Sequence, residues 1–306
     1  MASSRLPILF EALPPRRDAT HGQWQDQLEL LDPLLHLGIE GVNVPEIVNG
    51  HYETVEPRAF AVALQARLRV KAIVNRITVH HPLPDLLQWV QASARDFGIR
   101  DFVFVGGERR TEKYPGPSLS DALPYLAAAA KKAGGQAGVI TIPTRRRPDL
   151  DEPSRLLAKQ AAGASFAVSQ ILCESTFACR LQADLAGAAD AGGEAQMPVY
   201  WSLAPAGKKA DVEFLGWLGV HVPPEFVSTV MDGGATEGRL ARSRAWNLRI
   251  ARDLLEHAER VGAAPRFCVE HVMQHNIEAA VDLVEGVAAL LREFPQVGGA
   301  VVRGAR

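Results

Sequence analysis

The chain has 306 residues, 47% hydrophobic and 22% charged, which is ample apolar material for one large core at a length that fits a barrel of about 250 residues. A formal charge of −2 leaves no global basic field for nucleic acid, and no apolar run reaches the roughly 18 residues of a membrane span. Residues 1–7 do not read as a signal peptide, and Cys173, Cys179 and Cys268 lack disulfide or zinc spacing, so a soluble, cytoplasmic protein with reduced thiols is expected.

The first β-rich run, residues 8–13, leads into a helical pattern over 23–37. There Trp24, Leu28, Leu31 and Leu35 recur at three- and four-residue steps, marking one buried face. Strand 41–44 precedes helix 57–68, strand 70–74 precedes helix 84–97, and strand 101–105 precedes helix 119–132. Strand 137–142 is followed by helix 153–161, and strand 166–171 by helix 176–186. The seventh unit is enlarged: after strand 198–203 a long helical stretch covers 210–261. Within it Val222-Pro-Pro-Glu225 opens an extra helix before the Gly233-Gly234 break, and a further helix runs over 239–261. Strand 266–270 and helix 276–294 complete the eighth unit.

Strict β then α alternation implies parallel strands. Eight units close into a (β/α)8 barrel, and no G-x-G-x-x-G turn follows the first strand to suggest an open doubly wound sheet. The expectation is a single TIM-barrel domain spanning 1–306, with its core at about 6–295. In such barrels the chemistry sits at the C-terminal strand ends. The polar residues there are Glu11, Asn43, Glu46, Asn75, Arg76, Glu108, Arg109, the run Thr144 to Arg147, Gln170, Glu174, Ser202, Lys208, Glu270 and His271.

Glu11, flanked by Phe10 and Leu13, can be an acid whose pKa an apolar setting raises, or a rim salt bridge. Glu108 suits two-point hydrogen bonding to a ligand, or pairing with Arg109 or Arg110. Gln170 can meet a ligand edge or belong to a polar layer inside the barrel. Arg145, Arg146 and Arg147 with Lys159 form the strongest positive cluster, suited to a pyrophosphate or a polycarboxylate tail, or simply a solvated face. His80-His81 and His271 with His275 raise a metal reading, but Pro82 keeps the first pair from being helical and no third ligand is fixed by spacing. No metal is expected.

Phe10-Glu11-Ala-Leu-Pro14-Pro15 resembles the opening F-E-F-F-P-P of the methylenetetrahydrofolate reductase family. Residues 162–174, AGASFAVSQILCE, are similar to its sixth-strand segment A-G-A-D-x-x-I-T-Q-x-F-F-D. Pro198-Val-Tyr-Trp-Ser-Leu-Ala-Pro and Val220-His-Val-Pro-Pro224 resemble its seventh-strand stretch and the V-x-I-P that follows. The matches run in order from about Leu9 to about Glu270.

The resemblance implies hydride transfer between NADH or NADPH and a one-carbon unit on tetrahydrofolate, interconverting 5,10-methylenetetrahydrofolate and 5-methyltetrahydrofolate. It implies Glu11 as the catalytic acid, and Glu108, Gln170, Glu270 and His271 as substrate-binding. Asn43, Asn75, Arg109, Thr144, Arg145 and Lys159 would hold the cofactor. FAD would mediate the transfer, or the hydride would pass directly as in a short, flavin-independent branch: the family's flavin loop T-Y-G-A-G is here Asn43-Val-Pro-Glu-Ile-Val-Asn-Gly50, and its H-L-T-C is Ala72-Ile-Val-Asn75. Two alternatives stand beside this reading. One is a non-catalytic folate- or flavin-binding barrel, the other the same enzyme run oxidatively in a demethylation pathway. An aldolase would want a Schiff-base lysine at a strand end, and Lys71 begins its strand, at the wrong rim.

Overall fold

Alternating side chains decide how the strands are used, because successive residues of a strand face opposite sides. On β1 (Leu6–Glu11) Ile8 and Phe10 pack outward into the main core under the helices, while Leu9 belongs to a separate cluster inside the barrel. The same division holds for β2 (Ile39–Val44), β3 (Lys71–Ile77), β4 (Asp101–Val105), β5 (Ala137–Thr141), β6 (Phe166–Ser169), β7 (Val199–Leu203) and β8 (Arg266–Glu270). In the computed structural model, which describes residues 5–47, 53–107, 114–145, 151–192 and 195–295, each strand pairs in parallel with the next. β8 returns to β1 and closes the barrel. The (β/α)8 architecture expected from the alternation is the observed one.

The helices cover the outer face. They are α1 (His21–Glu29), α2 (Leu34–Leu37), α3 (Pro57–Leu68), α4 (Leu83–Phe97), α5 (Leu119–Lys132), α6 (Glu152–Ala161), α7 (Thr176–Gly192), α8 (Lys209–Trp217), α9 (Pro224–Met231), α10 (Thr236–Val261) and α11 (Ile277–Glu293). Local signals place several ends well. Glu56 caps α3 by accepting from the Ala59 N–H, with Pro57 in its first turn, and Ser118 caps α5 through the Asp121 N–H.

The expected helix over 23–37 is in fact two. The chain leaves α1 through a turn at 30–33 and restarts at Leu34, because Pro33 has no N–H to continue the ladder and its ring clashes with the preceding turn. The long 210–261 stretch divides into α8, α9 and α10. Gly233 (φ 40°) and Gly234 (φ 77°) occupy the left-handed conformation that separates the last two. β1 ends at Glu11, two residues earlier than expected, ahead of Pro14-Pro15, and α7 runs on to Gly192. No helix among the described residues is long and apolar enough to cross a membrane.

The N-terminal end of the barrel is closed by an ionic plug. Glu40 accepts from Lys71 Nζ at 2.8 Å, from the Tyr200 hydroxyl at 2.8 Å and from Arg266 Nη1 at 2.9 Å. Above it lies an apolar layer that includes Leu9, Ile73, Val103, Phe166 and Cys268. Any chemistry is therefore directed to the opposite end.

Candidate functional site

Two residues further along each strand, the interior changes character. Leu9 gives way to Glu11, Gly41 to Asn43, Ile73 to Asn75, Tyr200 to Ser202 and Cys268 to Glu270. Of this polar ring, Glu11 and Glu270 floor a cavity of about 760 Å³ at the C-terminal mouth, lined also by Glu46, Val105, Trp217 and His275 among others, while Asn43, Asn75 and Ser202 are buried at the same level of the barrel.

Glu11 and Glu270 are register partners on adjacent strands, so both carboxyls face the same floor. Burial pushes Glu11 up to about 7, while the Asn43 amide, donating to Oε2 at 2.5 Å, opposes the rise. Burial and the neighbouring Glu11 hold Glu270 well above the carboxylate range, with the Ser202 hydroxyl opposing. Asn43 Oδ1 and Asn75 Oδ1 are buried and accept no hydrogen bond from the described residues. Unmet acceptors of this kind are costly unless a ligand or water satisfies them.

The walls are apolar and aromatic. Phe214 and Trp217 on α8 stack at 5.4 Å with 21° between their planes, and Trp217 is 64% exposed at the rim. Tyr114 meets His80 edge to face on another side, where Gly107 lets the chain pass close under the Tyr114 ring. Glu46 is bound to Arg76 and accepts from the Ile77 N–H, fastening the loop after β2 to the end of β3. Asp211, 3% exposed, accepts from the Gly207, Lys208 and Asn276 N–H groups and from His275 Nε2 at 3.0 Å, which fixes the imidazole on the cavity wall.

Glu11 and Glu270 are thus brought together at the floor, with Asn43 hydrogen-bonded to Glu11 and Asn75 buried on β3. Gln170 stands at the end of β6, but its side chain braces the α8 loop: Nε2 donates to the Leu218 carbonyl at 3.1 Å and Oε1 accepts from the Ile171 N–H. His271 is 1% exposed, turned away from the cavity onto Phe10, and its Nε2 accepts from the Leu13 N–H. Thr144 lies in the turn after β5. Arg145 and Lys159 gather around Glu152 beside a separate groove of about 260 Å³. There Lys159 donates to the Ile140 carbonyl at 2.6 Å, and burial, with Arg155 and Arg145 nearby, lowers it to about 8. Glu108, Arg109, Arg146 and Arg147 fall outside the described residues.

Sequence reasoning missed Phe214, Trp217 and Asp211. The spacing of the two aromatics, three residues apart on α8, was the available signal.

His271 carries a pH prediction. Burial lowers it to about 4, against about 6.5 in an unfolded chain. Below pH 6.5 the unfolded state takes up a proton that the folded state refuses. Stability from this group therefore falls from pH 6.5 to pH 4 and stays low beneath. Urea unfolding of His271→Gln should show a shallower acid loss than the native chain over that range; parallel curves would refute the assignment.

No protein-family model matches the chain, and no curated protein matches it in sequence. The solved structure of an uncharacterized protein from Clostridium thermocellum, described as binding two copies of 5-methyl-5,6,7,8-tetrahydrofolic acid, superposes with a TM-score of 0.73 at 19% identity, over 94% of this chain and 96% of its own. That likeness is one of fold. Dihydropteroate synthase from Xanthomonas albilineans, in complex with 7,8-dihydropteroate, aligns with a TM-score of 0.47 and 14% identity, over 94% of this chain and 93% of its own.

Proposed function

We propose that the mouth binds a tetrahydrofolate bearing a one-carbon unit and that the chain interconverts its 5,10-methylene and 5-methyl forms, with a nicotinamide nucleotide as hydride partner. The observation that carries this reading is Glu11, a carboxyl brought to about 7 on the floor of an aromatic-walled cavity. Opening the methylene bridge requires a proton on N10 as its bond to the bridging carbon breaks. An acid still protonated near neutrality can supply it, whereas an ordinary glutamic acid is ionised there. The resulting N5 iminium accepts the hydride, and Glu11 is reprotonated from solvent. In the reverse direction the Glu11 carboxylate takes the same proton back.

The 5-methyltetrahydrofolate named for the Clostridium thermocellum barrel and the sequence resemblance support a folate ligand. Of the residues expected to hold a cofactor, Asn43 and Asn75 stand at the C-terminal level of the barrel and three others do not reach the cavity. Thr144, Arg145 and Lys159 stand away from the cavity, and the two cations are engaged by Glu152 and a backbone carbonyl. No step is routed through flavin. A second reading is a folate-binding barrel without turnover, supported by the Clostridium thermocellum protein, which is described by its binding of 5-methyl-5,6,7,8-tetrahydrofolic acid.

Anaerobic mixing with NADH or NADPH decides between them. Nucleotide oxidation that depends on methylenetetrahydrofolate supports the reductase. Calorimetric binding of 5-methyltetrahydrofolate with no oxidation of either nucleotide leaves the binder.

Trp217 offers a ring face at the rim, and stacking on an aromatic ligand contributes about 0.5–1.5 kcal/mol beyond buried area. Trp217→Ala should weaken folate binding roughly 3- to 10-fold, with kcat little changed. Loss of folate-induced fluorescence quenching would accompany it; unaltered affinity would remove Trp217 from the binding surface.

A further inference from the structure

We infer that Glu11 and Glu270 hold one proton between them at neutral pH, so that Glu270 is a positioning residue keeping a proton at the cavity floor available to Glu11. The geometry carries this. The two residues are direct partners across the β1–β8 seam, and each stands two positions beyond an interior residue, Leu9 and Cys268. Both side chains therefore enter the barrel from adjacent strands, which lie about 4.8 Å apart. Both line the same cavity.

Two carboxylates this close in a poorly solvated setting cannot both ionise at low cost, so the second proton is retained. The elevation of both groups agrees with this.

Among the described residues, the surrounding groups leave the pair to itself. From β2, Asn43 gives Glu11 a neutral amide donor. From β7, Ser202 gives a hydroxyl, and Cys268 beneath is kept neutral by burial and by the two carboxyls. The cation nearest the mouth from β3, Arg76, is bound to Glu46. His80 lines the wall against Tyr114, and His275 is held by Asp211. His271, next to Glu270 in the chain, is buried on the far side against Phe10.

The function of such a pair follows from its chemistry. A lone acid loses its proton as pH rises through its midpoint and its rate falls about tenfold per pH unit. A pair that still holds one proton keeps a share of Glu11 in the acid form at higher pH.

The titration needs no ligand and so does not depend on the folate reading; only the kinetic arm rests on it. The full chain, labelled with carboxyl-13C glutamate, would be titrated by NMR from pH 5 to pH 10 as native protein, Glu11→Gln and Glu270→Gln. Two linked steps are expected in the native chain, the first near 7. In Glu11→Gln, Glu270 should titrate lower by roughly one pH unit or more. An unchanged Glu270 midpoint in Glu11→Gln, or both carboxyls ionised by pH 6 in the native chain, would overturn the inference.

In the kinetic arm, Glu270→Gln should lose folate-dependent NADH oxidation above pH 7 while the native rate persists; superimposable pH profiles would refute the positioning role. Absence of any folate-dependent rate in the native chain would instead remove the proposed reaction, with the titration still deciding the pair.

Discussion

Glu11→Gln is expected to lower the rate of folate-dependent hydride transfer by about 10²–10⁴-fold and, above pH 7, to make the protein more stable. Both effects have one cause. The folded chain raises Glu11 from 4.5 to about 7, so it binds that proton more tightly than the unfolded chain does. The stability this contributes is fully present below pH 4.5 and is lost as pH rises through 7, when a charge must be carried in the barrel mouth. At about 1.4 kcal/mol per pKa unit, moderated by water in the cavity, the neutral amide should gain roughly 2–3 kcal/mol at pH 8. Stopped-flow rates and urea melts at pH 5 and pH 8 test the pair of outcomes. A variant that turns over normally sinks Glu11 as the acid. A variant that is slow but no more stable at pH 8 than at pH 5 sinks the account of why its pKa is raised.

Glu152→Ala should cost on the order of 3–5 kcal/mol in unfolding free energy. Glu152 is 3% exposed. It accepts from the Thr141 hydroxyl and the Ile142 N–H, both at 2.9 Å, and stands 3.3 Å from Arg155 and 3.9 Å from Arg145. Its charge also raises the buried Lys159 against the desolvation that lowers it. Removing the carboxylate leaves three cationic side chains close together without their shared counter-ion, the Thr141 hydroxyl and the Ile142 N–H unmet at the end of β5, and Lys159 driven toward its neutral form. Glu152→Gln, which keeps an acceptor for Thr141 and Ile142, should recover part of the loss. Losses below about 1 kcal/mol for both variants in urea unfolding would show that the cluster is a solvated surface feature.

The barrel was legible in the chain because its determinants are local and periodic. Two-residue alternation marked the strands, Pro57 and Ser118 marked helix starts, and the β then α rhythm left a parallel closed sheet as the natural solution. Parity carried this one step further. Glu11, Asn43, Asn75 and Glu270 each follow an interior residue by two positions, so their arrival at one level of the barrel interior was implicit in the strands themselves.

What local signals could not carry was the partner of each polar group once the chain had folded. Gln170 bonds the Leu218 carbonyl 48 residues away, and His271 accepts from the Leu13 N–H across 258 residues. Backbone N–H and C=O groups are the same at every residue, so nothing in the sequence identifies which of them a distant side chain will meet. Arg145 and Lys159 looked like a free positive cluster because Glu152 shares their charge in space, behind β5, and not as a visible motif. The sequence by itself determined the barrel and the ring of strand-end residues. Tertiary packing alone decided which of those residues line the cavity, which keep unmet hydrogen-bonding capacity and which are already bound within the protein.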